Sequence, residues 1–274
     1  MSSAHFTILG STGFIGTHLI QHLDHNGYEY RAPLKHEPLS SEALGHVIYC
    51  IGLTADFRKR PLDTVEAHVC VLRELLSKAN FTSLTYLSST RVYTGANNTQ
   101  EHRPLTVNPN TPGDLYNLSK LMGESLCLHG GHPLARVARL SNIVGVRPDP
   151  DIFIDQLLEE GARTGHISLQ TSLNSRKDYL HIDDTVQALL DIALSSAQGI
   201  INVASGQAVS NQEIMDMLTE HMGFSFEVAP NAPTWEFLPI DTTRLRSEFH
   251  LVPQTFQDYF PKFLQQYRKT KGLS

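Results

Sequence analysis

Cysteine is scarce in this chain: three residues in 274, Cys50, Cys70 and Cys127, odd in number and without a C-x-x-C pair. That count excludes a disulfide framework and a cysteine-built metal site. Each cysteine lies in an apolar neighbourhood, which predicts buried free thiols. The fourteen histidines are read as scattered, with no ligand pairing, so no metal is expected. A basic excess is missing too. Twenty-two Lys and Arg stand against 28 Asp and Glu, a formal net charge of −6, whereas a general nucleic-acid binder needs the opposite sign. The nearest thing to a basic patch, Arg58-Lys59-Arg60, reads as a solvated loop, with contact to a phosphate-bearing ligand as the alternative. No run approaches about 18 consecutive apolar residues, and no basic segment followed by an apolar run opens the chain. No membrane partner is expected, and the reading is a cytoplasmic, reducing setting. Repeats and low-complexity tracts are absent.

What is present is an alternation of short apolar strands with amphipathic helices. Phe6–Leu9 is a strand, followed by Gly10-Ser11-Thr12-Gly13-Phe14-Ile15-Gly16 and a helix to about Asp24. Strands are predicted around Tyr28–Ala32, His46–Ile51 and Leu84–Leu87, the last running into Ser88-Ser89-Thr90. Helices are predicted over Leu62–Ala79 and Asp114–His129, and two more strands over Ala135–Leu140 and Ile200–Val203. Such alternation with short connections predicts the α/β class, a parallel sheet covered on both faces. After Asn142 the rhythm breaks, with Pro148 and Pro150, a helix near Ile152–Thr164, and later Pro230, Pro233 and Pro239. The expected division is 1–142 plus about 181–204 as a dinucleotide-binding domain, and about 143–180 with 205–274 as a smaller substrate lobe. Ser210-Asn211-Gln212-Glu213 is a capping box that opens a helix in that lobe.

Two patterns carry chemistry. Gly10, Gly13 and Gly16, spaced G-x-x-G-x-x-G between a strand and a helix, suit a tight turn and close approach of backbone to a pyrophosphate at the helix N-terminus. Tyr116 and Lys120 stand four apart, so on a helix they share a face and reach one ligand. A free tyrosine ionises at about pH 10. A nearby ammonium favours the phenolate and makes the residue an acid/base for a carbinol oxygen; a solvated helix face is the other reading of that spacing.

Taken in order, these motifs resemble the extended short-chain dehydrogenase/reductase family, and within it the NAD(P)-dependent nucleotide-sugar epimerases, dehydratases and reductases. Five segments carry the resemblance: Gly10–Gly16, Leu87-Ser88-Ser89-Thr90-Arg91-Val92-Tyr93, Tyr116-Asn117-Leu118-Ser119-Lys120, Arg139-Leu140-Ser141-Asn142-Ile143-Val144-Gly145 and Asp178-Tyr179-Leu180-His181-Ile182-Asp183-Asp184. They span residue 6 to about 215. The resemblance implies a Rossmann-type doubly wound parallel sheet with a small carboxy-terminal substrate lobe, NADP or NAD as cofactor, a nucleoside-diphosphate sugar as substrate, and a homodimer. It implies that Ser89 polarises the reacting oxygen, Tyr116 moves its proton, and Lys120 holds the nicotinamide ribose and depresses the Tyr116 pKa. Cofactor contacts are implied at Gly10, Thr12, Gly13, Phe14, Ile15, Gly16, Lys35, Ile51, Gly52, Leu87, Ser88, Tyr116 and Lys120. Substrate contacts are implied at Ser89, Arg91, Asn142, Arg176 and Lys177, with Asn142 and either Arg176 or Lys177 on the diphosphate. The Ser88 hydroxyl is assigned to backbone at the strand end.

Departures from the family pattern sharpen the reading. Dehydratases carry an Asp-Glu pair directly after the catalytic Ser or Thr; Thr90 and Arg91 stand there, and neither can do that acid/base work. Reduction of a keto sugar is the first choice, C4 epimerisation with the same residues the second, and a non-catalytic NAD(P)-binding regulator or scaffold the reading of another class. At the end of the second strand, Leu34, Lys35 and His36 replace the carboxylate of NAD-preferring relatives, a lean to NADP that Glu37 opposes. His68 stands where the family often has Asn, as a water bridge to the lysine or as a satisfied core histidine. The dimer expectation rests on two apolar stripes: Val65, Val69, Leu72 and Leu76, and Leu118, Leu121, Met122 and Leu128. Each could face its own sheet. Ala67, Val71, Leu75, Leu115 and Leu126 make both arcs wider than one face requires.

Overall fold

The computed structural model describes residues 4–35, 37, 43–147 and 152–273; His36, Pro38, Pro148 and Pro150, which entered the reading above, lie outside them. The first strand, β1 (His5–Leu9), leads through the glycine turn into α1 (Phe14–His25), then β2 (Glu29–Arg31) and β3 (His46–Tyr49). The single helix expected over 62–79 is instead three pieces: α2 (Pro61–Val65), a π-helical turn (Glu66–Cys70) and α3 (Val71–Lys78). Within that turn the Ala67 carbonyl accepts the Tyr49 hydroxyl at 2.6 Å and the His68 carbonyl accepts the Tyr86 hydroxyl at 3.2 Å. Buried tyrosines from two strands thus engage backbone that a regular helix would keep to itself, and no 3.6-residue pattern announces it. The chain continues through β4 (Ser83–Ser89), a 3₁₀ turn (Thr90–Tyr93), α4 (Asp114–His129), β5 (Ala135–Leu140) and β6 (Asn142–Val144). It ends with α5 (Phe153–Thr164), β7 (His166–Leu169), β8 (Arg176–His181), α6 (Ile182–Leu194), β9 (Ile200–Val203), β10 (Ala208–Ser210), α7 (Asn211–Met222), β11 (Ser225–Val228), α8 (Thr243–Phe249) and α9 (Phe256–Lys271).

Six strands form one parallel sheet in the order β2-β1-β3-β4-β5-β9. Alternate side chains feed opposite faces. Phe6, Ile8 and Ile48 pack with Leu19 and Leu23 of α1 and Leu189 of α6, whereas Leu9, Val47 and Tyr49 pack with Leu72 and Leu75 of α3 and Cys127 of α4. Strands covered on both sides read as nearly unbroken apolar runs, and each fully buried Leu is worth roughly 1.5–3 kcal/mol. The strand order reverses between β1 and β3, and in such sheets ligands bind at the carboxyl ends beside that reversal.

Two glycines make the reversal possible. Gly10 has φ +83°, and a Cβ on it would lie 2.8 Å from the Cys50 carbonyl carbon. A Cβ on Gly16 would run into the Gly10 carbonyl. Any side chain at either position would push the first turn of α1 away from β1 and β3.

A second core gathers Ile154, Leu157, Leu158, Ile214, Leu218, Phe256, Phe260 and Leu264 from α5, α7 and α9. Beside it lie a three-stranded sheet, β10-β8-β6, and a two-stranded pair, β11-β7. The capping box is present: Ser210 Oγ accepts the Glu213 N–H at 3.2 Å and Glu213 Oε2 accepts the Ser210 N–H at 2.8 Å, opening α7. Leu245 of α8 packs into the core of the large sheet, although it lies in the stretch expected to belong to the lobe. The thiol expectation needs one correction: Cys127 is buried, but Cys50 and Cys70 are only half-buried. Among the described residues no helix is long and apolar enough to cross a membrane.

Candidate active site

β4 delivers Ser89 to the carboxyl edge of the sheet, where its Oγ accepts the Arg91 N–H at 3.2 Å and caps the 3₁₀ turn. The same side chain neighbours the Tyr116 hydroxyl and favours its ionised form. Tyr116 sits in the first turn of α4 and Lys120 in the second, both 5% exposed, so the four-residue spacing does bring them to one face. Their relation differs from expectation. The Lys120 ammonium donates to the Leu87 carbonyl at 2.8 Å and stands 6.0 Å from the Tyr116 ring centre. Burial holds the Tyr116 hydroxyl above its usual range, and the influences opposing burial are the Ser89 hydroxyl and the Arg91 guanidinium, 5.6 Å from the ring. Lys120 is itself brought down to about 7 by burial, against the pull of Glu124. Arg91 is thus a second cation that favours the phenolate, at nearly the same distance from the ring as Lys120.

His68 is the satisfied core histidine of the two readings. It is fully buried in the π-helical turn, its Nε2 accepts the Leu53 N–H at 3.2 Å, and Nδ1 contacts Ser119 Oγ at 2.8 Å. With Nε2 accepting, the proton belongs on Nδ1. Ser119 Oγ in turn donates to the Tyr116 carbonyl at 2.9 Å, and the imidazole packs edge-on to the Tyr116 ring at 5.4 Å. Burial, followed by the Lys120 charge, pushes the His68 pKa down to about 2, so the ring is neutral.

Below this layer lies a buried ionic cluster. Arg139 grips the Glu124 carboxylate with Nε at 2.9 Å and Nη2 at 2.6 Å, and both side chains are 3% exposed. Ser88 Oγ donates to Glu124 at 2.6 Å, which corrects its assignment to backbone and shows its hydroxyl to be committed away from the cofactor side. Arg139 Nη1 also donates to the Tyr93 hydroxyl at 2.7 Å, which passes on to Asn202 at 2.8 Å.

The expected substrate residues separate. Lys177 is half-buried over the Phe153 ring at 5.0 Å and senses the Arg91 charge. Arg176 is exposed, donates to the Ala208 carbonyl at 3.2 Å and lies 3.9 Å from Glu213. The Asn142 amide donates to the Asp178 carbonyl at 2.8 Å and so ties β6 to β8. Strand alternation thus turns Lys177 inward, toward Phe153, and leaves Arg176 exposed beside Glu213.

On the cofactor side, Gly13 opens α1, Thr12 is exposed, and Phe14 and Ile15 are half-buried, Phe14 lying 3.7 Å beneath the Arg147 guanidinium. Ile51 is half-buried against the α3 core. Gly52 is exposed, and a Cβ there would sit 3.2 Å from His68 Nε2 and 3.4 Å from Lys120 Nζ. Lys35 is exposed beyond β2, and Glu37 Oε2 accepts the Leu34 N–H at 3.0 Å.

Sequence reasoning missed two features. Phe57, 2% exposed, packs at 5.3 Å on Tyr116; a lone aromatic in the polar stretch Thr54–Arg60 was the available signal. Glu124 was missed as the partner of Arg139, although a charge inside the apolar strand Ala135–Leu140 required one. A third point is corrected: His18 and His22 do stand four apart on α1, but His18 Nδ1 bonds the Phe14 carbonyl at 2.8 Å, and among the described residues no group of three or more metal-binding side chains forms.

The family model for the NAD dependent epimerase/dehydratase family matches residues 6–204. The chain belongs to that family. The chain is similar to the dTDP-6-deoxy-L-talose 4-dehydrogenase (NAD(P)(+)) of Kitasatospora kifunensis, 25% identical over 92% of this chain and 91% of the relative. The dTDP-glucose 4,6-dehydratase of Streptomyces griseus is 30% identical over 56% of this chain, a match spanning about half, 48%, of the relative's length. In fold, the chain superposes on MoeE5 in complex with UDP-glucuronic acid and NAD with a TM-score of 0.80, 20% identity, and coverage of 97% of this chain and 99% of that one.

Proposed function

We propose that the protein is an NAD(P)-dependent oxidoreductase that reduces the keto group of a nucleoside-diphosphate sugar. The observation that carries this reading is the burial of Tyr116 and Lys120, four apart on α4, beside Ser89 at the carboxyl edge of the sheet. The residues fit a dinucleotide. Gly10 and Gly16 let the start of α1 close tightly on the strand ends, exposed Gly13 leaves bare backbone at the helix N-terminus, and Gly52 leaves bare backbone beside Lys120. Gly10–Gly16 would hold the pyrophosphate, and Lys120 with Gly52 the ribose next to the reacting ring. When bound, the nicotinamide supplies the hydride. Ser89 would hydrogen-bond the keto oxygen and Tyr116 would give it the proton, because both hydroxyls lie beside each other at the carboxyl edge of the sheet. Tyr116 regains its proton from solvent. Phe57 and the α4 face exclude water from the phenol, which strengthens the Ser89 and Arg91 interactions.

Reduction is favoured over dehydration because Thr90 and Arg91 replace the required acid pair. The relative matched over most of its length is named a 4-dehydrogenase. The lobe built on α5, α7 and α9 would close over the sugar, with Lys177 toward the diphosphate. Leu34 is exposed and Glu37 is engaged by the Leu34 N–H, so Lys35 is left to meet a 2′-phosphate and NADPH is the better ligand. A panel of UDP- and dTDP-4-keto sugars, each added with NADPH or NADH, tests both statements. Net cofactor oxidation with NADPH binding more tightly is the expected result. Sugar interconversion without net oxidation would instead mean epimerisation, bound cofactor without any turnover the scaffold reading, and tighter NADH binding would identify Glu37 as the ribose ligand.

A homodimer through α2, α3 and α4 belongs to the same reading. The surplus is narrower than the sequence suggested, since Ala67 and Leu75 are buried within the chain and Val71, Leu115 and Leu126 are half-buried. Leu62, Met122 and Leu128 stay exposed, at 84%, 54% and 39%. A two-fold pairing would cover them on both copies. Light scattering should give twice the 30.5 kDa chain mass, and Met122→Asp should return it to one; a concentration-independent single-chain mass for the unaltered protein would end the idea.

A further inference from the structure

Two arginines at the reacting end of the site lack an acidic partner. Within Arg58-Lys59-Arg60, Lys59 lies 4.0 Å from Asp56 and Arg60 pairs with Asp63 at 2.7 Å. Neither Arg58 nor Arg91 makes an ion pair with a carboxylate among the described residues. Instead both guanidiniums lie on one aromatic shelf, Arg58 4.7 Å and Arg91 5.2 Å from the Phe57 ring, which itself packs on Tyr116. They converge on Gly113, where a Cβ would meet Arg91 Nη2 at 3.1 Å and Arg58 Nη2 at 3.6 Å. The nearest acid that Arg91 senses is Asp114, whose carboxylate is occupied by the Asn108 N–H and the Asn117 amide, both at 2.8 Å. Lys177, half-buried over Phe153, adds a third positive charge that interacts with Arg91.

Like charges brought together in a half-buried site repel, and a bound anion relieves that repulsion. Guanidinium forks match a carboxylate in two-point geometry better than an ammonium does. Arg91 is two residues beyond Ser89 and over the Tyr116 ring, so an anion held there lies next to the reacting carbon. The diphosphate, by contrast, is assigned to the Lys177 side. We infer that Arg58 and Arg91 clamp a carboxylate borne by the sugar, which makes the substrate class a nucleoside-diphosphate sugar acid. This rests on the function proposed above. It also gives the solvated-loop segment Arg58–Arg60 a role for its first residue alone.

The test is a set of calorimetric titrations of the NADP-loaded protein with UDP, UDP-glucose and UDP-glucuronate, repeated with dTDP and its two sugars. The acid should bind about 10–100-fold more tightly than the neutral sugar, the loss expected when a charge-assisted hydrogen bond is missing. Arg58→Gln and Arg91→Gln should each bring that ratio close to one and leave the bare nucleotide unaffected, with Arg91→Lys retaining part of it. Arg58 is exposed, so its variant tests the clamp without disturbing the core. Equal affinity for acid and neutral sugar overturns the inference and leaves the proposed function standing. Variants that weaken the bare nucleotide as much as the acid overturn it too, by showing that the arginines hold the diphosphate. Binding of no nucleotide at all would overturn the proposed function along with it.

Discussion

Replacing Tyr116 by Phe is expected to lower kcat for keto-sugar reduction about 10²–10⁴-fold, the range a single positioned acid/base contributes, with NADPH still binding. The ring itself is held by Phe57 at 5.3 Å and His68 at 5.4 Å, contacts a phenylalanine keeps, so the fold and the glycine cradle are undisturbed. What disappears is the hydroxyl beside Ser89, and neither Lys120 nor His68 is placed to donate in its stead. Lys120 is turned to the Leu87 carbonyl and His68 has both nitrogens engaged. Single-turnover rates at saturating NADPH separate the proton step from cofactor binding. A Phe variant with near-normal kcat would show that another group handles the proton.

The second large effect falls on stability. Glu124→Leu removes the carboxylate that Arg139 grips and Ser88 donates to, and leaves the Arg139 guanidinium buried at 3% exposure without its counter-ion. Breaking a buried pair from one side typically costs about 3–5 kcal/mol, which for a chain of this size lowers Tm by roughly 10 °C. Lys120, whose charge Glu124 supports, also loses support, so kcat should fall with stability. Replacing both partners, Glu124→Leu with Arg139→Leu, should recover much of the lost stability, because paired apolar groups of similar size often do as well as a buried ion pair. Denaturant unfolding of the two single variants and the double variant closes the cycle. A loss below about 1 kcal/mol in Glu124→Leu would mean that the pair is solvated and not a support of the site.

The parts of this protein that were legible in the sequence are those set by local rules. Strands covered on both faces are mostly apolar, and Ala135–Leu140, despite its two arginines, and Ile200–Val203 are found where that rule puts them. The helix Asp114–His129 also matches residue for residue, and its spacing alone placed Tyr116 and Lys120 on one face. The glycine turn was readable because a missing Cβ is itself the signal, and the capping box because both of its hydrogen bonds lie within four residues.

Other features depended on distant partners. The π-helical turn at Glu66–Cys70 exists because Tyr49 and Tyr86, from two other strands, take its carbonyls. That Lys177 lies half-buried while Arg176 stays exposed beside Glu213 depends on how β8 packs against the lobe. Lys120 was expected to depress the Tyr116 pKa; the structure adds Arg91 as a cation over the same ring, while the strand-end carbonyl of Leu87 accepts from the Lys120 ammonium. Residue types and helical spacing thus determined which groups are present and which share an element. Packing between elements decided which of them meet, and in a half-buried site an electrostatic influence depends on direction and desolvation as well as on the charges themselves.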